Sequence, residues 1–200
     1  EAQVGGIEED EEGRTVHHAA QVMNWHAGML DLLFRRIRER YGPTAAQLAD
    51  YVHGCPLFRA ERRPLVERGL QAWLDGDAIV AAHLLVPQIE AALRVLCVDA
   101  GGSVMKPDDR YNGFRVDGMG TVLDETHLCA VMPPDIRFHL AALFTDPRGL
   151  SVRNHLAHGM ALPEGLGIGL CNWIVHAVLA VALFRKRADS APAEQDQSAT

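Results

Sequence analysis

The chain predicts an all-α fold, a bundle of up-and-down helices with short extra helices between them. Three observations carry that prediction. Apolar residues recur at helical spacing over long stretches. No alternating Val, Ile and Thr runs bounded by hairpin turns occur. Start and stop signals for helices fall where the periodicity begins and ends. The 200 residues suffice for one domain with a real core, and the 48% hydrophobic content is that of a globular protein.

The first helix is expected from about Thr15 to Tyr41. Val22, Trp25, Met29, Leu32, Leu33 and Ile37 recur along it as the apolar face, and Gly42-Pro43 stops it. Thr44 caps a shorter helix to Val52. Gly54-Cys55-Pro56 breaks the chain, and Pro64 opens a helix carrying Leu65, Val66, Leu70, Trp73 and Leu74. Asp77 caps the strongest amphipathic segment, which runs to about Cys97 with Pro87 inside as a kink. Gly101 to Gly120, dense in Gly, Pro and Asp, reads as a loop. Thr121–Cys129 and Asp135–Phe144 read as two short helices separated by Pro133-Pro134. A turn at Asp146-Pro147-Arg148-Gly149 and a short helix over 151–158, opened by Ser151 and ended by Gly159, come next. A last helix covers about Leu166 to Phe184.

The net charge of −7 overstates the acidity of the body. Setting aside the six acids of residues 1–13, and the three acids and three bases after Phe184, leaves residues 14–184 with a net charge of −1. A strongly basic nucleic-acid binder is thereby excluded, and any RNA must be held by a local patch. Residues 1–13 read as a disordered acidic lead-in, 14–187 as a single helical domain and 188–200 as a disordered tail. The absence of an initiator Met at Glu1 suggests a module of a longer protein. Cys55, Cys97, Cys129 and Cys171 are far apart and form no C-x-x-C pair, so buried reduced thiols in a cytoplasmic protein are expected. Gly165 to Phe184 carries no Asp, Glu, Lys or Arg and precedes Arg185-Lys186-Arg187. Asn172 and His176 in its middle favour a core helix over a membrane span, so no membrane is expected. His17, His18 and His26 lack a carboxylate at metal-ligand spacing, so neither a metal nor a cofactor is expected. His83 and His176, on apolar helices, read as core histidines.

The residues richest in chemistry are Arg153-Asn154-His155-Leu156-Ala157-His158-Gly159. Arg153 offers a cation for a phosphate and His158 an imidazole for proton transfer, the two things metal-free RNA cleavage needs. On one helix Asn154 and His158 are i, i+4 neighbours, while Arg153 lies about 140° round from His158. A structural reading of the same residues stays open. In it Asn154 satisfies backbone groups, His158 caps the helix end and Arg153 pairs with Glu90. Glu90 itself is placed either in an ordinary i, i+4 pair with Arg94 or facing the motif to orient His158 or Arg153. Arg148 reads as a second phosphate contact or an exposed turn residue, and His155 as a substrate contact or a solvent-facing side chain.

The turn at 145–150 followed by R-N-x-x-x-H-G resembles the motif of the HEPN superfamily, small helical bundles carrying an arginine and a histidine a few residues apart. The resemblance is closest to an uncharacterised C-terminal domain family marked by R-N-x-x-x-H-G, in which a helix of the type P-Q-I-E-x-x-L-R precedes the motif. Pro87-Gln88-Ile89-Glu90-Ala91-Ala92-Leu93-Arg94 fits that helix. The resemblance covers about Ala78 to Phe184. It implies a metal-independent endoribonuclease, active as a homodimer whose two motif helices build one composite site. His158 would be the general acid or base, Arg153 the phosphate ligand and Asn154 the orienting group. RNA would be the substrate and 2′,3′-cyclic phosphate ends the product, in a toxin, a defence effector or an RNA-processing module restrained by a regulatory partner or a preceding domain. Two other readings stand beside it. One is a non-catalytic HEPN-like dimerisation or nucleotide- or RNA-binding module. The other is a membrane-attached domain using residues 165–184.

Overall fold

The computed structural model describes residues 10–184, apart from 109 and 111. It is all-α except for one small β-ribbon. Helix α1 (Glu11–Tyr41) is followed by α2 (Ala45–His53), a 3-10 turn at Ala60–Arg62, α3 (Arg63–Leu74) and α4 (Ala78–Asp99). Then come strands β1 (Met105–Asp108) and β2 (Gly113–Val116) and the short helices α5 (Met119–Leu123) and α6 (Thr126–Val131). Helices α7 (Pro134–Phe144), α8 (Val152–Ala157) and α9 (Ile168–Val181) complete the order.

Local chemistry sets the ends. Helix α1 starts four residues before the expected Thr15, because the Asp10 side chain accepts from the backbone N–H of Gly13 at 2.7 Å. Residues 11–13, expected in the disordered lead-in, are therefore helical; residues 1–9 and the expected tail at 188–200 lie outside the described residues. Gly42, at φ 51°, ends α1 in the left-handed conformation that glycine adopts without a Cβ penalty. Thr44 and Gln47 form a reciprocal capping box on α2. Asp77 caps α4, which runs unbroken through Pro87, and Gln88 Nε2 donates to the Leu84 carbonyl beside it.

Helix α4 packs against α3 and α9, and α9 packs against α1. Leu85, Ile89 and Leu93 of α4 meet Ile174 and Val178 of α9, Leu70 of α3 and Phe144 of α7 in one fully buried cluster. The buried Asn172 ties three helices together, as a buried amide must find partners. Its Oδ1 accepts from Trp73 Nε1 at 2.7 Å and its Nδ2 donates to Asp31 at 3.2 Å. Trp173 Nε1 donates to the Met23 carbonyl at 3.0 Å. Helix α9 is thus a core element of 14 residues, as the polar pair Asn172 and His176 suggested. By length and composition alone α4 could cross a membrane, but half of its apolar window is buried inside the fold.

Four expectations are corrected. The loop at 101–120 contains an antiparallel ribbon in which Met105 pairs with Val116 and Pro107 with Phe114. A two-stranded ribbon consists of edges only, so Pro107 is tolerated there. The expected helix 121–129 is two helices, because the Glu125 carboxylate accepts from the backbone of His127 and Leu128 and starts α6 afresh. The buried face of α1 is Val16, Ala20, Met23, Leu30 and Phe34, while Trp25, Met29, Leu32 and Leu33 are exposed. His83 also stands exposed, bonded to the Ile79 carbonyl of its own helix, instead of lying in the core.

Candidate functional site

The turn between α7 and α8 is held by its own residues. Asp146 accepts from the backbone N–H and Nε of Arg148 at 2.9 and 3.0 Å. Leu150 N–H reaches back to the Ala142 carbonyl at 2.8 Å. Gly149 is required at this approach, because a Cβ there would sit 2.2 Å from that same carbonyl oxygen. Ser151 opens α8 in a left-handed conformation, φ 49°, and does not cap it as the sequence suggested. Its hydroxyl instead accepts from Asn154 Nδ2 at 3.2 Å. Gly159, at φ 67°, follows the helix.

Arg153 leaves α8 toward α4. Its Nε donates to Glu90 Oε2 at 3.0 Å and its Nη2 to Glu90 Oε1 at 3.2 Å, a two-pronged pairing. Glu90 is almost fully buried and is also bonded by Arg94 Nη2. Both expectations for Glu90 therefore hold at once: it pairs with Arg94 along its helix and faces the motif. Two guanidiniums on one carboxylate leave net positive charge at this corner. Arg94 uses Nε and Nη2 to bond the Asp117 carbonyl at the foot of the ribbon, both at 3.0 Å. The Asp117 carboxylate meets Lys106 Nζ at 3.2 Å. The Arg153 guanidinium lies against Gly118, where a Cβ would stand 3.3 Å from Nη2.

Asn154 is a clamp. Its Nδ2 donates to the Thr145 carbonyl at 2.8 Å as well as to Ser151, and its Oδ1 accepts from Arg153 Nη1 at 3.4 Å. His158 occupies the C-cap of α8, its backbone N–H bonded to the Asn154 carbonyl. Its ring is exposed and makes no hydrogen bond among the described residues. Arg153, Asn154 and Glu90 are thus brought into one network, and His158 stands at the other end of the same short helix, outside it.

His155 is exposed and lines a mostly apolar cleft of about 410 Å³ with Asn24, Val152, Leu162, Glu164 and Leu170. Arg153, Asn154 and His158 do not line it. Arg148 is tied down, with Nη2 2.8 Å from Asp146 and Nη1 3.2 Å from Asp10, so it fastens the start of α1 to the turn. The Asp146 hydrogen bond raises the Arg148 pKa, and Arg148 in turn holds Asp146 low. Burial pushes Cys97 up to about 11 and Cys171 up to about 12, so both stay thiols at neutral pH and neither suits a nucleophile. Among the described residues no group of three His, Cys, Asp or Glu is placed to hold a metal ion.

Sequence reasoning did not find Asp117, Gly118 or Lys106. They come from a segment whose only local signal is Gly and Asp, and nothing in its spacing points to α8. No family model, curated protein or solved structure matches this chain.

Proposed function

We propose that the chain is a metal-independent endoribonuclease of HEPN type, working in the cytoplasm as a homodimer within a toxin, defence or RNA-processing protein. The observation that carries this reading is the division of labour on α8. Glu90 fixes Arg153 from below, and His158 presents an exposed imidazole at the helix end. The R-N-x-x-x-H-G resemblance supplies the assignment of roles.

RNA brings its own nucleophile, so a base, an acid and a cation suffice. His158 takes the proton from the 2′-OH as that oxygen attacks the phosphorus. The remaining N–H groups of Arg153 hold the phosphate oxygens as charge builds on them. The bond to the 5′ oxygen breaks, and that oxygen takes a proton from His158 of a second copy. A 2′,3′-cyclic phosphate and a 5′-OH end result, with no oxidant or metal consumed. Asn154 positions Arg153 and locks α8 to the end of α7. Arg148 stabilises the turn behind the motif, and His155 stands where flanking nucleotides would pass.

One observation favours a second reading, a non-catalytic dimerisation or RNA-binding module. Two edges of Arg153 and every polar atom of the Asn154 side chain are already used within the chain. Incubating labelled RNA with the protein in EDTA separates the two readings: cyclic-phosphate ends support the nuclease, and RNA retained uncut supports the module.

A further inference from the structure

The fold takes Arg148 away from the role of second phosphate contact, because Asp146 and Asp10 hold its guanidinium. The ribbon puts another cation near the motif. Strand β2 carries Arg115, exposed, whose guanidinium makes no hydrogen bond or ion pair among the described residues. The neighbouring cations are engaged: Arg94 and Arg153 share Glu90, and Lys106 has Asp117. The register sets Lys106 directly opposite Arg115. Like charges so placed destabilise a ribbon, and two strands alone are already marginal. An anion bound between the two cations would turn this repulsion into attraction.

Side chains alternate along a strand, so Val104, Lys106, Arg115 and Asp117 share one face of the ribbon. At its foot that face turns into the fold: Val104 packs on the core and Asp117 is buried. The basic pair therefore stands on the side of the ribbon toward the helices, while Met105, Phe114 and Val116 stand on the solvent side. Arg94 bonds the Asp117 carbonyl, and the Arg153 guanidinium lies against Gly118. From Gly118 to Arg115 is about 10 Å of extended chain. Asp108, on the same face nearer the tip, accepts from the Arg110 N–H at 3.1 Å and makes no ion pair with Arg115.

We propose that Arg115, supported by Lys106, holds a second phosphate of the RNA strand whose scissile phosphate is held by Arg153. The inference rests on the RNA of the functional reading and names where that strand is gripped. Charge complementarity selects the occupant. Residues 14–184 carry a net charge of −1, so affinity for a polyanion must come from uncommitted cations close to the motif, and Arg115 is such a cation. A guanidinium can take a phosphate through two N–H groups at once. The stretch from Gly118 to Arg115 spans one to two nucleotides of a single strand, so both contacts fall close to the cleaved bond.

The test is binding of a short, labelled single-stranded RNA carrying 2′-O-methyl groups throughout, which has no free 2′-OH and cannot be cut. Fluorescence anisotropy is read over a salt series for the full chain as wild type, Arg115→Gln, Arg115→Lys and the control Arg68→Gln. Arg68 is exposed on α3, which packs chiefly against α2 and α4. The expected dissociation constant of Arg115→Gln is about 10-fold higher, and its plot of log affinity against log salt about 0.7 shallower, the loss of one phosphate contact to a single strand. Arg115→Lys keeps the charge and should regain the slope with only part of the affinity. Arg68→Gln should match the wild type. Arg115→Gln removes a like-charge pair from an exposed ribbon and should melt no lower than the wild type, so its weaker binding is not a loss of fold. Wild-type affinity and slope in Arg115→Gln, or an equal loss in Arg68→Gln, would overturn the inference and leave the nuclease reading standing. Arg115-dependent binding of RNA that is not cut even when unmethylated would overturn the nuclease and support the inference. A wild type that binds no RNA would overturn both.

Discussion

Arg153 and Glu90, 63 positions apart, meet in a two-pronged ion pair at 3.0 and 3.2 Å that fastens the motif helix to the central helix of the bundle. The carboxylate is buried and answers two guanidiniums, so its loss is asymmetric in effect. It leaves two cations facing each other across a partly dry corner.

Glu90→Ala should therefore cost about 3 kcal/mol in urea unfolding, more than either Arg94→Ala or Arg153→Ala. A double-mutant cycle between Glu90 and Arg153 should return a coupling of at least ~1 kcal/mol. Additive behaviour would mean that the pair does not hold α8.

Gly149 faces the backbone of Ala142 with no room for a methyl group. Gly149→Ala must push α8 away from α7 or distort the turn, at an expected cost of about 2 kcal/mol or more and with a matching loss of any activity that depends on the motif. Gly28→Ala, on open surface, should be neutral or slightly stabilising through helix propensity. Thermal unfolding of the two variants side by side checks both.

His139 and His176 stack edge to face at 5.7 Å, with Trp173 against both. His139 Nε2 and His176 Nδ1 are buried with no hydrogen-bond partner among the described residues. Burial lowers both pKa values, and His176 lowers that of His139 further. The folded protein thus holds these rings neutral while the unfolded chain takes up protons at about 6.5. The stability they contribute is complete above that pH and is lost as pH falls through the depressed folded values. Losses from Asp146 and Asp10, whose folded values lie below the usual 3.8, come later in the descent. The urea midpoint should fall between about pH 7.5 and pH 5.5, and His139→Phe should flatten that fall. An unchanged pH dependence in the variant would count against the assignment.

Much of the fold was legible because its signals are local: Gly42, the Thr44 box, Asp77 and Pro134 each mark a helix end within a few residues. The face of α1 was not. Both faces are apolar, and the buried one carries the smaller Ala20 alongside Met23 and Phe34, so periodicity alone favoured the stripe with Trp25 and Met29. Glu125 was missed as a cap because glutamate is an uncommon one. Within the site, the helix carrying the motif and the Glu90 pairing were readable as alternatives. The support from Asp117 and Gly118 was not, since no sequence spacing encodes a contact made through a ribbon.

The most direct test of the account is cleavage of end-labelled RNA in EDTA by the wild type and His158→Ala. His158 is exposed and its ring bonds nothing among the described residues. The variant should therefore keep the wild-type stability to within about 0.5 kcal/mol. Metal-free cleavage through His158 requires 2′,3′-cyclic phosphate ends from the wild type and a rate at least ~100-fold lower from the variant. Equal cleavage by both proteins, or none by a folded and dimeric wild type, would contradict it.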